Sequence, residues 1–287
     1  MKKFRRVYIE ITNCCNLSCS FCSHTGRKKD YMTYESFTSI IDQVKNLADT
    51  AVFHVLGEPL MHPRLENFID YTLDSGMDVM ITTNGTLLHT QNGQRLVGKR
   101  ISCINISLHA ASEMKQPEAY LENVLNFIES FEFTDTVINL RLWNIFIGEN
   151  EFIIDKINAH FNSCISVPEG IKSLKKNKIR YLRDNVFIHF DTRFEWPDIG
   201  IEEISSTGSC YGLKSHFGIL CDGTVIPCCL DAEGIINLGN VNDDEIENII
   251  NGSRAEYIKL NFENGILAES LCRRCGYAKR FRRKKRH

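Results

Sequence analysis

The chain has 287 residues, a formal net charge of −2, and 43% hydrophobic and 24% charged residues. This balance is typical of globular proteins and excludes disordered and fibrous classes. No apolar run reaches the ~18–20 residues that a membrane-spanning helix needs. No apolar signal segment follows the basic N-terminus, so we expect a cytoplasmic protein without a membrane partner.

The small net charge conceals an uneven distribution. Residues 279–287 carry seven Lys and Arg, which leaves 27 basic against 36 acidic residues in 1–278. The acidic body argues against nucleic acid as a partner, because such binding relies on neutralising phosphates. We interpret the basic tail, 281–287, as a solvated chain end or, alternatively, as an anchor for an acidic peptide, a nucleic acid or a partner protein.

Strands and helices are predicted to alternate along the first part of the chain, from β-branched alternating segments and one-sided apolar patterns. The predicted strands are 7–11, 51–56, 78–83, 101–108 and 136–146, with a short sixth strand at 165–167. The predicted helices are 34–47, 63–75, 117–131 and 150–161. This order predicts an α/β fold with a parallel sheet and outer helices, either open or closed into a barrel.

The second part of the chain follows a different pattern. Residues 168–205 are less regular and are interpreted as a connector that includes a strand at 186–190. A cysteine-bearing unit with a hairpin turning at Asp222-Gly223 begins near residue 206. We therefore expect a barrel domain over 1–195 and a small cluster-binding unit over 206–280.

Twelve cysteines are many for this length. Without a signal segment, metal binding is a better explanation than disulfides. Cys15, Cys19 and Cys22 follow the first strand with the spacing C-x3-C-x2-C. Three thiolates can hold one face of a cubane iron–sulfur cluster and leave its fourth iron open, and thiolates favour iron–sulfur clusters or zinc.

Further polar segments stand at the ends of the predicted strands. Gly57-Glu58-Pro59 follows the second strand, Thr83 and Asn84 end the third, and Ser107 ends the fourth. Arg141 lies within the fifth strand. Each is weak evidence alone, because Asn-Gly and Gly-Glu-Pro also mark plain turns. Barrel active sites, however, lie at the carboxyl ends of the strands.

Together these segments resemble the radical S-adenosylmethionine (radical SAM) superfamily, in the cysteine motif with Phe21 before its third cysteine, the Gly57-Glu58-Pro59 turn and the Thr-Thr-Asn-Gly segment that contains Asn84. The turn departs from the family's pattern where Leu56 replaces a glycine. The resemblance implies a partial (β/α)6 TIM-like barrel. It also implies a [4Fe–4S] cluster on the cysteine motif that reductively cleaves S-adenosyl-L-methionine to a 5′-deoxyadenosyl radical.

The same resemblance implies which residues bind the cofactor. The turn of Gly57, Glu58 and Pro59 would hold the amino group of S-adenosylmethionine, with Thr83 and Asn84 beside it. Ser107 would contact its ribose or carboxylate, and Arg141 would pair with that carboxylate. Phe21 would pack near the adenine. Histidines at 24, 54, 62 and 109 also fall near strand ends, but none is assigned a catalytic role.

A second cysteine set resembles the SPASM extension of radical SAM enzymes. Its members would be Cys210, Cys228, Cys272 and Cys275, with Gly223 at the expected spacing. No cysteine follows Cys275, so the resemblance is to the shortened "twitch" form with one auxiliary [4Fe–4S] cluster. Cys221 or Cys229 in place of Cys228, and a structural zinc site in place of the cluster, remain open alternatives.

The resemblance implies an oxidoreductase in which the auxiliary cluster accepts an electron from the substrate radical. Modification of a peptide or protein, as by maturases of ribosomally made peptides, is the leading interpretation. Dehydrogenation of a small aminocyclitol or sugar alcohol is the alternative, and a non-catalytic metal-binding regulator is the alternative from another class. A flavodoxin or ferredoxin is the expected electron donor.

Overall fold

The structure, a computed structural model, describes residues 3–23, 25–131, 134–143, 151–167, 178–192 and 195–281. Parts of the predicted strand 136–146, of the helix 150–161, of the connector and of the basic tail lie outside these ranges. No helix within them is long and apolar enough to cross a membrane.

The strands and helices alternate over most of these ranges. The strands are β1 (Phe4–Ile9), β2 (Ala48–Phe53), β3 (Asp78–Thr83), β4 (Cys103–Ser107), β5 (Val137–Trp143), β6 (Ile179–Arg183), β7 (Val186–Asp191), β8 (His216–Ile219), β9 (Thr224–Ile226) and β10 (Gly239–Asn240). The helices are α1 (Tyr34–Val44), α2 (Leu65–Asp74), α3 (Gln91–Gln94), α4 (Pro117–Glu129), α5 (Glu151–Phe161), α6 (Ile246–Asn251), α7 (Ser253–Glu263) and α8 (Ser270–Arg273).

All ten strands form one sheet in the order β10-β9-β8-β1-β2-β3-β4-β5-β7-β6. The run from β8 to β7 is parallel, and β6, β9 and β10 pair antiparallel at the two edges. A parallel sheet crossed by outer helices confirms the predicted α/β class and is consistent with a partial TIM-like barrel.

The first two strands begin earlier than predicted. In both, the polar residues before the apolar stretch join the ladder, with Phe4 opposite Ala48 and Ile9 opposite Phe53. The residues after each strand leave the sheet and form loops at its carboxyl edge. This earlier exit matters for the site, because both the cysteine motif and the Gly-Glu-Pro turn lie in those loops.

The predicted sixth strand at 165–167 is wrong. This segment has no regular structure, and the place beside β5 is taken by β7. Both backbone groups of Ile165 are bonded to the side chain of Asn158 on α5, its N–H donating to Oδ1 at 2.8 Å and its carbonyl accepting from Nδ2 at 2.8 Å. A ladder would need those same two groups.

The two faces of the sheet differ sharply. On β4 and β5, alternate residues such as Ile106 and Leu140 are fully buried against the outer helices. Phe37 of α1 and Phe68 of α2 stack in this layer with ring centroids 3.9 Å apart, and burying such a side chain contributes roughly 1.5–3 kcal/mol. The residues between them face the other way and are half-buried. We call that polar face the trough.

The C-terminal cysteine-bearing part shares this sheet. β8 pairs with β1 from Arg6–His216 to Ile9–Ile219, and the predicted hairpin is confirmed, since β8 and β9 turn at Asp222 and Gly223. Gly223 has a φ of +89°, which favours glycine. The loop with Cys15, Cys19 and Cys22 and the segment with Cys228 therefore follow two strands of one sheet.

Candidate active site

Three cysteine thiols gather in the loop after β1. The backbone N–H of Cys22 donates to the carbonyl of Cys19 at 3.1 Å, which folds the motif into a tight turn. Burial raises the pKa of Cys15, Cys19 and Cys22, that of Cys19 to about 11. Neighbouring thiols add to the rise in pKa of Cys19 and Cys22. All three are free of disulfides, so they form a thiol set whose deprotonation would accompany metal binding.

A cubane cluster suits this donor set. Among the residues that the structure describes, no three His, Cys, Asp or Glu side chains converge on a single-ion site. In a [4Fe–4S] cluster the thiolates bind different irons, so their sulfurs need not converge on one point. Thiols are also the ligands that such clusters take.

The Gly57-Glu58-Pro59 turn packs directly on the cysteine loop. The backbone N–H of Glu58 donates to the carbonyl of Cys14 at 2.8 Å. Gly57 has a φ of +76°, and a Cβ atom there would lie 2.3 Å from the carbonyl oxygen of Thr12. Only glycine permits this approach, so the turn and the loop form one rigid unit.

The carboxylate of Glu58 is buried and held by three donors. It accepts from the backbone N–H of Leu60 at 3.0 Å, the hydroxyl of Thr83 at 2.7 Å and the backbone N–H of Asn84 at 2.7 Å. Burial raises the pKa of Glu58 to about 7, against the opposing effect of these donors. No described cation pairs with it, so a bound ammonium or amine would find an oriented acceptor here.

Asn84 joins the third strand to the cysteine loop. Its Nδ2 lies 3.7 Å from the sulfur of Cys15 and donates to Oδ1 of Asn16 at 3.0 Å. Its carbonyl accepts from the hydroxyl of Tyr120 at 2.9 Å. The structure thus brings the cysteine motif, Glu58 and the end of β3 together, as the sequence predicts.

An aromatic wall continues from the cysteine loop along β5. The ring of Phe21 lies 5.1 Å from that of His109, which stacks on Trp143 at 5.5 Å with 9° between the planes. The guanidinium of Arg141 lies 4.0 Å from the centre of the Trp143 ring. Ser107 stands opposite Arg141 in the β4–β5 ladder. Phe21, Ser107 and Arg141 therefore lie along one side of the trough.

The second cysteine set gathers beyond β9. Burial, and then the thiols of Cys210, Cys229 and Cys272, raise the pKa of Cys228 well above its usual value. Burial and the thiols of Cys210 and Cys275 likewise raise that of Cys272. These mutual effects put Cys210, Cys228, Cys272 and Cys275 in one group.

The two alternative ligands are placed differently. The sulfur of Cys221 lies 3.9 Å from a guanidinium nitrogen of Arg27. Cys229 lies beside Tyr8 of β1 and near Arg141, toward the trough. The geometry therefore favours Cys228 over Cys221.

Two residues that sequence reasoning missed connect these loops. The fully buried carboxylate of Glu10 pairs with Arg27 at 2.8 Å and accepts from the backbone N–H groups of Leu56 at 3.2 Å and Cys221 at 3.3 Å. Arg27 also donates to the carbonyl of Ala232 at 2.9 Å. The available signal was an acidic residue inside the apolar run Val-Tyr-Ile-Glu-Ile.

Comparisons with known proteins agree with this geometry. The sequence pattern of the radical SAM superfamily matches residues 9–141, and that of the SPASM iron–sulfur cluster-binding domain matches residues 210–276. A probable GTP 3′,8-cyclase of Methanococcus maripaludis (strain C6) is 31% identical over 278 residues, covering 83% of this chain and 89% of that protein.

A shorter match is to the tungsten-containing aldehyde ferredoxin oxidoreductase cofactor-modifying protein of Pyrococcus furiosus. It is 29% identical over 106 residues, which are 36% of this chain and only 30% of that protein. The chain therefore matches less than a third of that relative's length.

Solved structures share the fold. BtrN in complex with AdoMet and 2-DOIA has a TM-score of 0.63 at 18% identity, covering 96% of this chain and 94% of that chain. Streptococcus suis SuiB bound to its precursor peptide SuiA has a TM-score of 0.63 at 15% identity, covering 96% and 71%. The chain therefore belongs to the radical SAM superfamily, with a [4Fe–4S] cluster and S-adenosylmethionine as its cofactors and a SPASM-type extension for auxiliary iron–sulfur chemistry.

Proposed function

We propose that this protein is a radical SAM oxidoreductase that removes hydrogen from a peptide or protein side chain and passes the resulting electron to an auxiliary cluster. The observation that carries the proposal is the presence of two sets of cysteine thiols, one in the loop after β1 and one beyond β9 of the same sheet. Cys15, Cys19 and Cys22 follow β1, while Cys228 follows β9 and its neighbour Cys229 reaches Tyr8 on the trough face. A substrate in the trough would lie between a radical source and an electron acceptor.

The first cysteine set, Cys15, Cys19 and Cys22, would hold the cluster that cleaves S-adenosylmethionine to a 5′-deoxyadenosyl radical. That cleavage is the chemistry that the cluster and S-adenosylmethionine supply together. The chain's own part is binding and orientation. The oriented carboxylate of Glu58 would accept from the amino group of the methionine part, and Thr83 and Asn84 would keep that carboxylate in place. Phe21 would cover the adenine and exclude water, and Ser107 and Arg141 supply polar groups on the same side.

The second cysteine set would hold the auxiliary cluster and supply a protein ligand to each of its four irons. Its members are Cys210, Cys228, Cys272 and Cys275. A fully ligated cluster has no open iron, which suits electron transfer better than substrate binding. Burial of these thiols and the backbone N–H of Gly212, 3.4 Å from the sulfur of Cys210, would tune its potential. A flavodoxin or ferredoxin would supply the electron for the first cluster.

A peptide substrate is supported by the similarity in fold to SuiB, which was solved with a precursor peptide. A second candidate is dehydrogenation of a small polar alcohol. It is favoured by the match to BtrN in length, since 94% of that chain is covered. A non-catalytic metal-binding regulator would have no need of the open iron that three cysteines leave.

The experiment compares substrates under identical turnover conditions. The protein with both clusters is incubated anaerobically with reductant and S-adenosylmethionine, with peptides encoded beside its gene in one arm and aminocyclitols in the other. The proposal expects 5′-deoxyadenosine above the substrate-free rate and a product that has lost two hydrogen atoms. A peptide product supports the leading function, an aminocyclitol ketone supports the second, and an unoxidised product with stoichiometric 5′-deoxyadenosine contradicts the oxidative assignment.

A further inference from the structure

The sheet ends in two unlike edge strands. The strand β10 has only two residues, Gly239 and Asn240, and neither has a hydrophobic side chain. The strand β6 exposes Ile179 and Tyr181 at 58% and 62%, and no other large apolar side chain in the described ranges is as exposed as Tyr181. Proteins usually protect an edge strand against pairing with another chain. Exposed apolar residues on β6 therefore mark an edge to which a further strand can add.

The exposed side chains of β6 lie on the trough face. In the antiparallel β6–β7 ladder Tyr181 stands opposite Phe187, and their rings meet edge to face with 5.9 Å between centroids. Ile179 stands opposite His189, which in turn stands opposite Arg141 of β5. Residues opposite each other in a ladder share a face of the sheet. The trough therefore continues to this edge, about 10 Å beyond β5.

The same two residues turn their backbone groups outward. The backbone N–H of Phe190 donates to the carbonyl of Lys178 at 2.7 Å, so these two residues form a hydrogen-bonded pair of the ladder. Residues between such pairs direct N–H and C=O away from the partner strand, and here they are Ile179 and Tyr181. Within the described part of the chain, only the Ile179 carbonyl among these four groups is engaged, accepting from Arg180 at 3.3 Å. Two N–H groups and one carbonyl are thus available to an added strand.

The charge of this segment selects the occupant. Residues 170–183 contain six Lys and Arg and no Asp or Glu. A second copy of this chain would place two basic strands side by side, and like charges opposite each other on paired strands are destabilising. An acidic strand would be attracted instead. If its residues alternated between apolar and acidic, the apolar ones would meet Ile179 and Tyr181 on the trough face, and the acidic ones would share the face of Arg180.

We propose that β6 docks an acidic, extended segment of the peptide substrate, which pairs with β6 as a further strand and continues into the trough. The inference rests on the proposed function and gives its peptide substrate a binding element outside the cysteine loops. Backbone pairing supplies affinity, and the apolar residues that face Ile179 and Tyr181 set the register. Roughly three residues of extended chain, at about 3.3 Å each, cover the distance from β6 to β5, so the reacting residue would follow the docked segment closely.

The test measures peptide binding without turnover. The probe is a fluorescein-labelled synthetic peptide of about ten residues, long enough for one strand, in which Val and Glu alternate. Its binding to the protein with both clusters is followed by fluorescence anisotropy under anaerobic conditions, without reductant and without S-adenosylmethionine. Three control peptides are used. One alternates Val and Lys, and the other two are the Val-Glu peptide with N-methyl groups either on every Val or on every Glu.

The protein variants separate strand pairing from loss of the fold. Tyr181→Pro removes one outward N–H together with the ring, and proline is tolerated on an edge strand where the N–H faces solvent. Tyr181→Ala keeps the N–H and removes only the ring. The matched control is Tyr257→Ala, because Tyr257 on α7 is exposed to a similar extent, 57%.

We expect saturable binding of the Val-Glu peptide to the wild type and to Tyr257→Ala. Tyr181→Ala should weaken binding about fivefold, the effect of one aromatic cross-strand contact. Tyr181→Pro should weaken it about tenfold or more, since it also removes a backbone donor. The Val-Lys peptide should bind at least about tenfold more weakly at low salt. Because a strand pairs through alternate residues, N-methylation of one set should abolish binding and N-methylation of the other set should not.

Five results would overturn the proposal. The Val-Glu peptide does not bind the wild type, Tyr181→Pro binds it as tightly as the wild type does, the two N-methylated peptides bind alike, or the Val-Lys peptide binds equally well. The fifth is a dimer in sedimentation velocity that Tyr181→Pro abolishes, which would give the edge to a second copy of the chain. The proposed function fails on a different observation, the absence of an oxidised peptide from turnover.

Discussion

Replacing Glu10 by Gln should destabilise the protein more than the removal of any exposed ion pair. The carboxylate is fully buried, and the side chain of Arg27 is 14% exposed. The substitution leaves the guanidinium without its charge partner, and breaking a buried pair in this way costs about 3–5 kcal/mol. The Glu10 carboxylate also accepts hydrogen bonds from the backbone N–H groups of Leu56 and Cys221. In the variant, the amide NH2 of Gln would face one of these two donors and could not accept from it.

The magnitude converts to a melting temperature. At about 2.1 cal/mol/K per residue, 1 kcal/mol shifts Tm by roughly 1.7 °C in a chain of this length. A loss of about 3–5 kcal/mol should therefore lower Tm by roughly 5–8 °C. The assay is thermal unfolding of the cluster-loaded protein under anaerobic conditions, followed by circular dichroism.

The matched control is Asp42→Asn, which removes the exposed pair of Asp42 and Lys45, whose side chains are 51% and 37% exposed. Such surface pairs contribute at most ~1 kcal/mol. Because Glu10 bonds to the cysteine loop, the Gly-Glu-Pro turn and the auxiliary hairpin, E10Q should also change the electron paramagnetic resonance spectrum of the reduced clusters. Equal melting temperatures for E10Q and D42N would refute the account of this pair.

Three further predictions concern the site. Glu58→Gln should weaken binding of S-adenosylmethionine about 10- to 100-fold. Because the pKa of Glu58 is raised to about 7, wild-type affinity should be full above that pH and fall below it, whereas dialysis should show no such dependence in E58Q. Cys228→Ala should lose about half of the iron and sulfide that two cubanes would hold, whereas Cys221→Ala should keep the full content. The opposite result in metal analysis would make Cys221 the ligand. Gly57→Ala should lower the free energy of unfolding by more than the ~1–2 kcal/mol of a left-handed backbone alone, because its Cβ would meet the carbonyl of Thr12. The control is Gly76→Ala, at φ +77° with nothing within 4 Å of the added Cβ, which should lower it only by that amount. Equal melting temperatures of the two variants would exclude an effect of the Thr12 contact.

Local patterns were sufficient for much of the fold. Alternation and helical periodicity predict β1 to β5 and the first helices, because each pattern records which face of an element is buried. The loops after those strands follow from the same reasoning, and with them the placement of Cys15, Glu58 and Asn84 at one edge. The spacing of the cysteines in addition predicted an iron–sulfur cluster at that edge.

Pairing over long distances could not be predicted in this way. The segment at 165–167 has a strand-like composition, but the side chain of Asn158 forms hydrogen bonds with the backbone of Ile165. Only the three-dimensional structure shows that β7 pairs with β5 in its place. Glu10 meets Arg27 and Cys221, which are 17 and 211 residues away. No periodic pattern records such contacts, since they depend on how separate loops meet at the sheet edge.

Anaerobic cleavage of S-adenosylmethionine tests the central claim most directly. The protein is reconstituted with iron and sulfide, reduced with dithionite and mixed with S-adenosylmethionine, and 5′-deoxyadenosine is quantified beside a variant with Cys15, Cys19 and Cys22 all replaced by Ala. We expect 5′-deoxyadenosine from the wild type and none from the variant. Equal amounts of 5′-deoxyadenosine from both proteins, or none from a fully loaded wild type in the presence of its substrate, would contradict the account. Cys15, Cys19 and Cys22 would then not hold the radical-generating cluster.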